Sequence, residues 1–198
     1  MEGEPFISSD AAAVSILAHL PNPVFVIDDS DRFTYLNNAA EMFFQSSQVM
    51  LIGVPLRTLI AAECIGDGRW FIEKASQYAR DRVVFGRPIG QNQGVQFPIA
   101  KAHIEVEAAD LMRWRACEQY DRGENAGASA NMAKYLAAEA SWAAANACLQ
   151  THGGFGFANE YDVERKFRET RLYQVAPIST NLIMSYVAEH LLELPRSF

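Results

Sequence analysis

Apolar positions follow two different rhythms along this 198-residue chain. Up to about residue 58 they come in short β-rich runs broken by turn residues. From Leu59 onward they recur every three to four residues, the period of a helix. In the first part, Ser8-Ser9-Asp10 caps a short helix to about Leu20, with Ala11 to Ala13, Ile16 and Leu17 as its body; Pro21-Asn22-Pro23 stops it. Val24 to Ile27 and Phe33 to Leu36 read as two strands of a hairpin around Asp28-Asp29-Ser30-Asp31. Asn37-Asn38 then caps a short helix from Ala39 to Phe44, and Gly53-Val54-Pro55 makes a further turn.

The second part predicts a helix from Leu59 through Ala61, Trp70, Phe71 and Ala75 to Tyr78 and the arginines beyond. A second follows from Val95 to Asp121, with Ile104, Ala108 and Leu111 along one stripe and Gly123 as its stop. A third, from about Ala126 to Gln150, is dense in alanine; Ala133, Ala137, Ala140, Ala144 and Ala147 allow neighbouring helices to approach closely. A charged helix from Glu160 to Tyr173 and a last one from Ser179-Thr180 to Leu192 complete the pattern. The fold class that results is mainly α: an antiparallel four-helix bundle with a short N-terminal α/β segment.

Two stretches carry candidate chemistry, Arg80 to Gln96 and Gln150 to Phe157. The residues alone allow two readings. One is a basic last helical turn, a stop at Gly86 and a tight inter-helix loop. The other is a helix hairpin presenting Arg82 and Gln93 to an anionic, adenine-bearing ligand. The order Arg82-x-x-Phe85-Gly86, Pro88-Ile89, Gln93 and Gln96, then Gln150-x-x-Gly153-Gly154-x-Gly156-Phe157, resembles the C-terminal helical domain of acyl-CoA dehydrogenases. The likeness continues through Glu160-Tyr161, Glu164-Arg165 and Arg168 and covers about Leu59 to Phe198.

That resemblance implies a flavoprotein oxidoreductase of fatty acid metabolism, using FAD for α,β-dehydrogenation of acyl-CoA thioesters and assembling as a homo-oligomer, dimer or tetramer. It implies that Arg82 meets the pyrophosphate of a neighbouring subunit's FAD with Phe85 packed beside it, and that Gln93 meets the adenine side. A bidentate guanidinium suits phosphate oxygens. Gln150, Gly153 and Gly154 match the loop where backbone passes close to the cofactor, and Ser179 keeps a hydroxyl that can meet the flavin. The family's catalytic glutamate is absent: Pro177 stands at one known position for it and Leu56, before Arg57, at the other. No catalytic residue is therefore assigned. The family's N-terminal helical domain and middle β-domain also have no counterpart among these residues, which implies a catalytically incomplete fragment or a fusion. A non-catalytic oligomerisation module is the alternative.

Residues 8–59 resemble the first half of a PAS domain of the nitrogen-regulation sensor kinase type, through Leu20-Pro21-Asn22-Pro23-Val24, Ile27-Asp28, Tyr35 to Glu41 and Gly53-x-Pro55-Leu56. Only the first two strands of that sheet are present, so a sensor fragment is a third reading. Domains are accordingly set at 1–58 and 59–198.

Charge and cysteine usage narrow the classes further. The net charge is −7, of which −5 lies in residues 1–60, and no basic stripe exists to meet nucleic acid or an anionic membrane. No run of eighteen apolar residues exists. The acidic start, Met1-Glu2-Gly3-Glu4, lacks the positive charge of an export signal. Cys64, Cys117 and Cys148 are odd in number and sit in helical patterns, as reduced thiols of a cytoplasmic protein with no metal site.

Overall fold

The computed structural model describes residues 15–29, 32–44, 47–176 and 178–197. It divides into two compact units, residues 1–56 and 57–198. The predicted cap at Ser8 to Asp10, and Pro177, lie outside the described residues.

In the first unit, a helical turn at 15–18 precedes β1 (Phe25–Ile27) and β2 (Phe33–Leu36). The strands pair antiparallel with Phe25 opposite Leu36 and Val26 opposite Tyr35, and a bulge follows Val26. Asn37 holds this unit together. Its Oδ1 accepts from the backbone N–H of Val24 and of Ala40, both at 2.9 Å, and its Nδ2 donates to the carbonyls of Leu17, Leu20 and Asn22. The residue is 1% exposed; its amide oxygen takes two backbone N–H groups and its two N–H donors are shared among three carbonyls. It also caps α1 (Asn38–Phe44), as its position before the helix predicts. After α2 (Gln48–Leu51) the chain returns to cover β2, Gly53 N–H donating to the Phe33 carbonyl at 2.8 Å. Phe33, Leu36, Ala40 and Leu51 are buried, while Phe25 is partly exposed.

The second unit is the helical bundle: α3 (Leu56–Asp81), α4 (Gln93–Asp121), α5 (Gly127–His152), α6 (Val163–Leu172) and α7 (Thr180–His190). Phe71, Ala75, Ala102, Ala144, Ala145, Cys148 and Val163 form its core, flanked by Trp70, Trp142 and Phe167. Small residues set the helix spacing. A Cβ on Gly68 of α3 would stand 2.6 Å from Val106 Cγ2 of α4 and 3.6 Å from Ser141 Cα of α5. Ala133, Ala137, Ala140 and Ala144 are buried on the facing side of α5, as the alanine spacing predicts. Asp67 ties α3 to α6, accepting from Thr170 Oγ1 at 2.9 Å and pairing with Lys166 at 2.6 Å. Ser179 caps α7 by accepting from the Leu182 N–H at 3.3 Å.

One stripe is assigned its side, and two expectations are corrected. The stripe of Ile104, Ala108 and Leu111 faces outward, Ile104 being 68% and Leu111 72% exposed; α4 buries Ala102, Val106, Ala109 and Ala116 instead. Gly86 does not stop a helix: α3 ends at Asp81, and a two-residue ribbon, β3 (Val83–Val84) with β4 (Arg87–Pro88), turns at Phe85-Gly86. The charged helix begins only at Val163, because residues 153–157 and 159–161 wind as tighter 3₁₀ turns.

Candidate functional site

The end of α3, the end of α5 and the turns after it enclose an open cleft of about 370 Å³, lined by Lys74, Gln77, Tyr78, Asp81, Arg82, His152, Phe155 and Tyr161. Helical geometry places Lys74, Gln77, Tyr78 and Asp81 on one face, at spacings of three and four. The wall opposite comes from the Gln150 to Phe157 stretch. His152 is buried and stacks on Tyr78 with ring centroids 4.2 Å apart; Tyr161 meets both rings edge-on. The His152 Nδ1–H donates to the Cys148 carbonyl at 2.8 Å, which leaves Nε2 as an acceptor. Burial lowers its pKa, so this histidine is neutral in the fold.

Arg82 is the cation at the mouth. Its guanidinium lies 5.4 Å from the centroid of the Phe155 ring and, among the described residues, has no carboxylate partner. Asp81, its neighbour in sequence, is held by the Gln77 amide at 2.7 Å. The next loop is open. Gly153 adopts φ +56°, which favours glycine, and a Cβ on Gly153 or Gly154 would meet nothing within 4 Å. Backbone there faces free space into which a ligand can come.

The remaining predicted positions scatter. Phe85 sits at the ribbon tip with φ +51° beside Gly86 at φ +78°, the paired positive angles of a primed hairpin turn, and its side chain is wholly exposed. A phenylalanine held there carries strain of about 1–3 kcal/mol. Gln93 is the exposed first residue of α4, and Gln150 is exposed on α5. Neither lines the cleft. Ser179 is far from it within one chain: Lys134 bonds the Ile178 carbonyl, and His152 lies eighteen residues further along α5, roughly 27 Å at 1.5 Å per residue. Leu56 is buried at the start of α3. Arg168 pairs with Glu164 along α6, and Arg171 stands over Trp142 of α5 at 5.1 Å. Sequence reasoning gave no site role to Lys74 or Tyr78, whose signal was their four-residue spacing running into Arg82, nor to Tyr161, which enters only as part of the Glu160-Tyr161 likeness.

The family model for the acyl-CoA dehydrogenase C-terminal domain matches residues 54–192. The chain belongs to the acyl-CoA dehydrogenase family. The PAS-fold model matches residues 12–64. The acyl-CoA dehydrogenase FadE12 of Mycobacterium tuberculosis is 44% identical over 73% of this chain, and the human short-chain specific mitochondrial acyl-CoA dehydrogenase 32% identical over 70%. The match spans only 38% and 34% of those relatives' own lengths. Among solved structures, glutaryl-coenzyme A dehydrogenase in its glutaryl-CoA complex superposes with a TM-score of 0.68 at 33% identity, covering 72% of this chain and 36% of that one. Among the described residues, no group of side chains could hold a metal ion and no helix is long and apolar enough to cross a membrane.

Proposed function

We propose that residues 59–198 form a helical module that holds the adenosine diphosphate half of FAD at the Arg82 end of the bundle, and that the chain by itself does not dehydrogenate acyl-CoA. The observation that carries this is an arginine without an acid partner beside an open glycine turn. A guanidinium committed to a carboxylate would first have to give it up; Arg82 does not. Aromatic walls at Tyr78 and Phe155 suit a flat ring, and Lys74 adds positive charge at the same mouth. FAD, when bound, would supply a hydride acceptor. The residues of this chain would supply anchoring and orientation of the diphosphate only, since Leu56 and Pro177 cannot take a proton. Self-assembly belongs to the same reading, because Phe85 and Gln93 are exposed and do not line the cleft that holds Arg82. Residues 1–58 would be a partial PAS-like unit joined to this module in sequence.

Equilibrium titration of FAD, followed by quenching of flavin fluorescence, tests the reading. Arg82→Ala should raise Kd by about 10- to 150-fold, the weight of a charged hydrogen bond of roughly 1.5–3 kcal/mol. Arg82→Lys should recover only part, lacking the forked geometry. Equal binding by the wild type and Arg82→Ala would defeat the assignment.

A further inference from the structure

Holding a diphosphate on Arg82 leaves the middle of the cleft without a task. There His152, 4% exposed, lies stacked on Tyr78 and meets Tyr161 edge-on at 5.5 Å, so its ring is fixed in orientation. Its tautomer is fixed as well, because Nδ1–H donates to the Cys148 carbonyl of its own helix at 2.8 Å. The edge left for the cleft carries Nε2, which in a neutral imidazole accepts and cannot donate. Burial and the nearby charge of Lys74 both oppose a second proton. The polar neighbours are engaged elsewhere. Gln77 donates to Asp81 at 2.7 Å and accepts from Arg80 at 2.6 Å, and Lys74 stands over the Trp70 ring at 5.5 Å. A buried acceptor of settled tautomer is thus aimed at the cleft, and none of the described residues donates to it.

We propose that His152 reads the base: its Nε2 accepts from the exocyclic amino group of a 6-aminopurine, so the cleft selects adenine nucleotides over 6-oxopurine ones. This rests on the reading of the cleft as a diphosphate site and adds the specificity which that reading leaves open. The spacing fits. Arg82 follows Tyr78 by four residues of chain, one helical turn and roughly 6 Å along the axis. The 4.2 Å step from Tyr78 across to His152 adds to it. A ribose and its phosphate bridge a gap of that kind. A phosphate fixed at Arg82 therefore decides which atom of the base arrives at His152. Adenine places an amino N–H there. Guanine or hypoxanthine in the same placement sets a carbonyl oxygen against Nε2, two acceptors with no proton between them. Turning the base to offer its ring N–H instead would draw the phosphate off Arg82.

The cleft volume of about 370 Å³ is at the low end for a small-molecule site. It suits a mononucleotide, so free ADP is a sufficient ligand and FAD enters by the half it shares with ADP. A site built to accept an N–H rejects the analogue that lacks it, because its own acceptor is then left unpaired. A histidine with a packing role alone would show no such preference, since a phenylalanine fills the same place on Tyr78. The difference between the two lies in the base and not in the fold.

The experiment is titration calorimetry of the full chain with ADP, GDP and IDP near pH 8, above the ordinary histidine range, beside FAD followed by flavin fluorescence. IDP differs from ADP only by its 6-oxo group and the proton this puts on the ring, so the ligands test the base with the protein unchanged. ADP should bind about tenfold more tightly than GDP or IDP, the weight of one hydrogen bond gained or opposed. His152→Phe keeps a ring against Tyr78; it should weaken ADP to the level of GDP while GDP stays within about twofold of its wild-type affinity. Far-UV circular dichroism should be the same for both proteins. Equal binding of ADP and IDP by the wild type overturns the proposal, whether or not the variant folds. So does a preference for ADP that survives in His152→Phe. Absence of ADP binding at about 1 mM overturns it too. FAD held through Arg82 with ADP and IDP alike would defeat this proposal alone; ADP preferred to IDP by a chain that takes up no FAD would defeat the flavin reading alone.

Discussion

Lys134 is the most consequential side chain that the functional argument leaves unused. It sits in the middle of α5 and is 1% exposed, and its Nζ donates to the carbonyls of Tyr173 and Ile178 at 2.6 Å each. One ammonium therefore clips both sides of the turn between α6 and α7 onto the bundle. Gln174 adds a bond from its Nε2 to the Ala138 carbonyl at 3.0 Å. Lys134→Met keeps the length and the apolar stem but removes the donors. Two effects oppose each other. The variant is spared the cost of burying an ammonium. It also leaves two carbonyls facing apolar surroundings, at about 1–3 kcal/mol apiece. Removing one partner of a buried polar cluster is regularly the larger effect, because the other partners have nowhere to turn. The expected net loss is about 2–4 kcal/mol, a fall in melting temperature of roughly 5–15 °C for a unit of this size.

The pH dependence gives the sharper check. Burial holds the Lys134 pKa below its ordinary 10.5, against the upward pull of Cys64 and Glu139. The unfolded chain therefore keeps this proton up to 10.5 while the folded chain has begun to release it. Where the unfolded state binds more protons, stability rises with pH. A neutral amine still has two N–H groups for the two carbonyls, so the clip survives deprotonation. Burial pushes the Cys64 thiol up from 9.0 to about 12, and this works the other way: the unfolded thiol ionises first, and stability falls above pH 9. That term is shared by wild type and variant and largely cancels in their difference. Urea unfolding followed by far-UV circular dichroism should show the margin of the wild type over Lys134→Met widening as pH climbs towards 10.5. A variant as stable as the wild type near pH 7, or a margin that narrows with pH, would refute the clip.

The remaining expectations concern packing, the N-terminal unit and turnover. Gly68→Ala drives a methyl against the stiff Val106 side chain where three helices meet, and should cost about 1–3 kcal/mol in thermal melting; an unchanged melting temperature would show that α3 and α4 are further apart than drawn. Asn37→Ala leaves five backbone groups without their partner and should expose residues 15–44 to protease while the helical signal persists; protection equal to the wild type would remove Asn37 from its central role. The chain should not reduce dye with any acyl-CoA, with or without added FAD, and Pro177→Glu should not rescue it. A general base contributes about 10²–10⁴-fold only to a substrate that is already positioned. Turnover by the unmodified chain would mean that a proton acceptor other than the two family positions is at work.

What the sequence showed and what it hid follow from the kind of signal each feature leaves. Caps are local, so Asn37 before α1, Gly123 after α4 and Ser179 before α7 could be placed from one or two residues. Arg82 alone of the cleft was legible as a candidate, because motif order carries information that spacing alone does not. The ribbon at 83–88 was not, since two-residue strands leave no period and Phe85 occupies a left-handed conformation that its side chain disfavours. Lys134 left no trace either: a lysine in a helical pattern reads as a solvated position, and only the two carbonyls forty residues on reverse that.

The two faces of α4 are the most instructive. Periodicity detects an apolar face but cannot tell which of two faces the chain buries on itself. On α4 the inner face is made of Ala102, Val106, Ala109 and Ala116, small because α3 and α5 crowd it. The outer face carries Phe97, Ile104, Leu111 and Trp114, so a reading weighted by hydrophobicity selects the wrong side. A helix inside a bundle of one chain has no need of its largest apolar side chains in water. Their exposure shows that the buried face was chosen by the close approach of α3 and α5, which small residues allow, and not by apolar size.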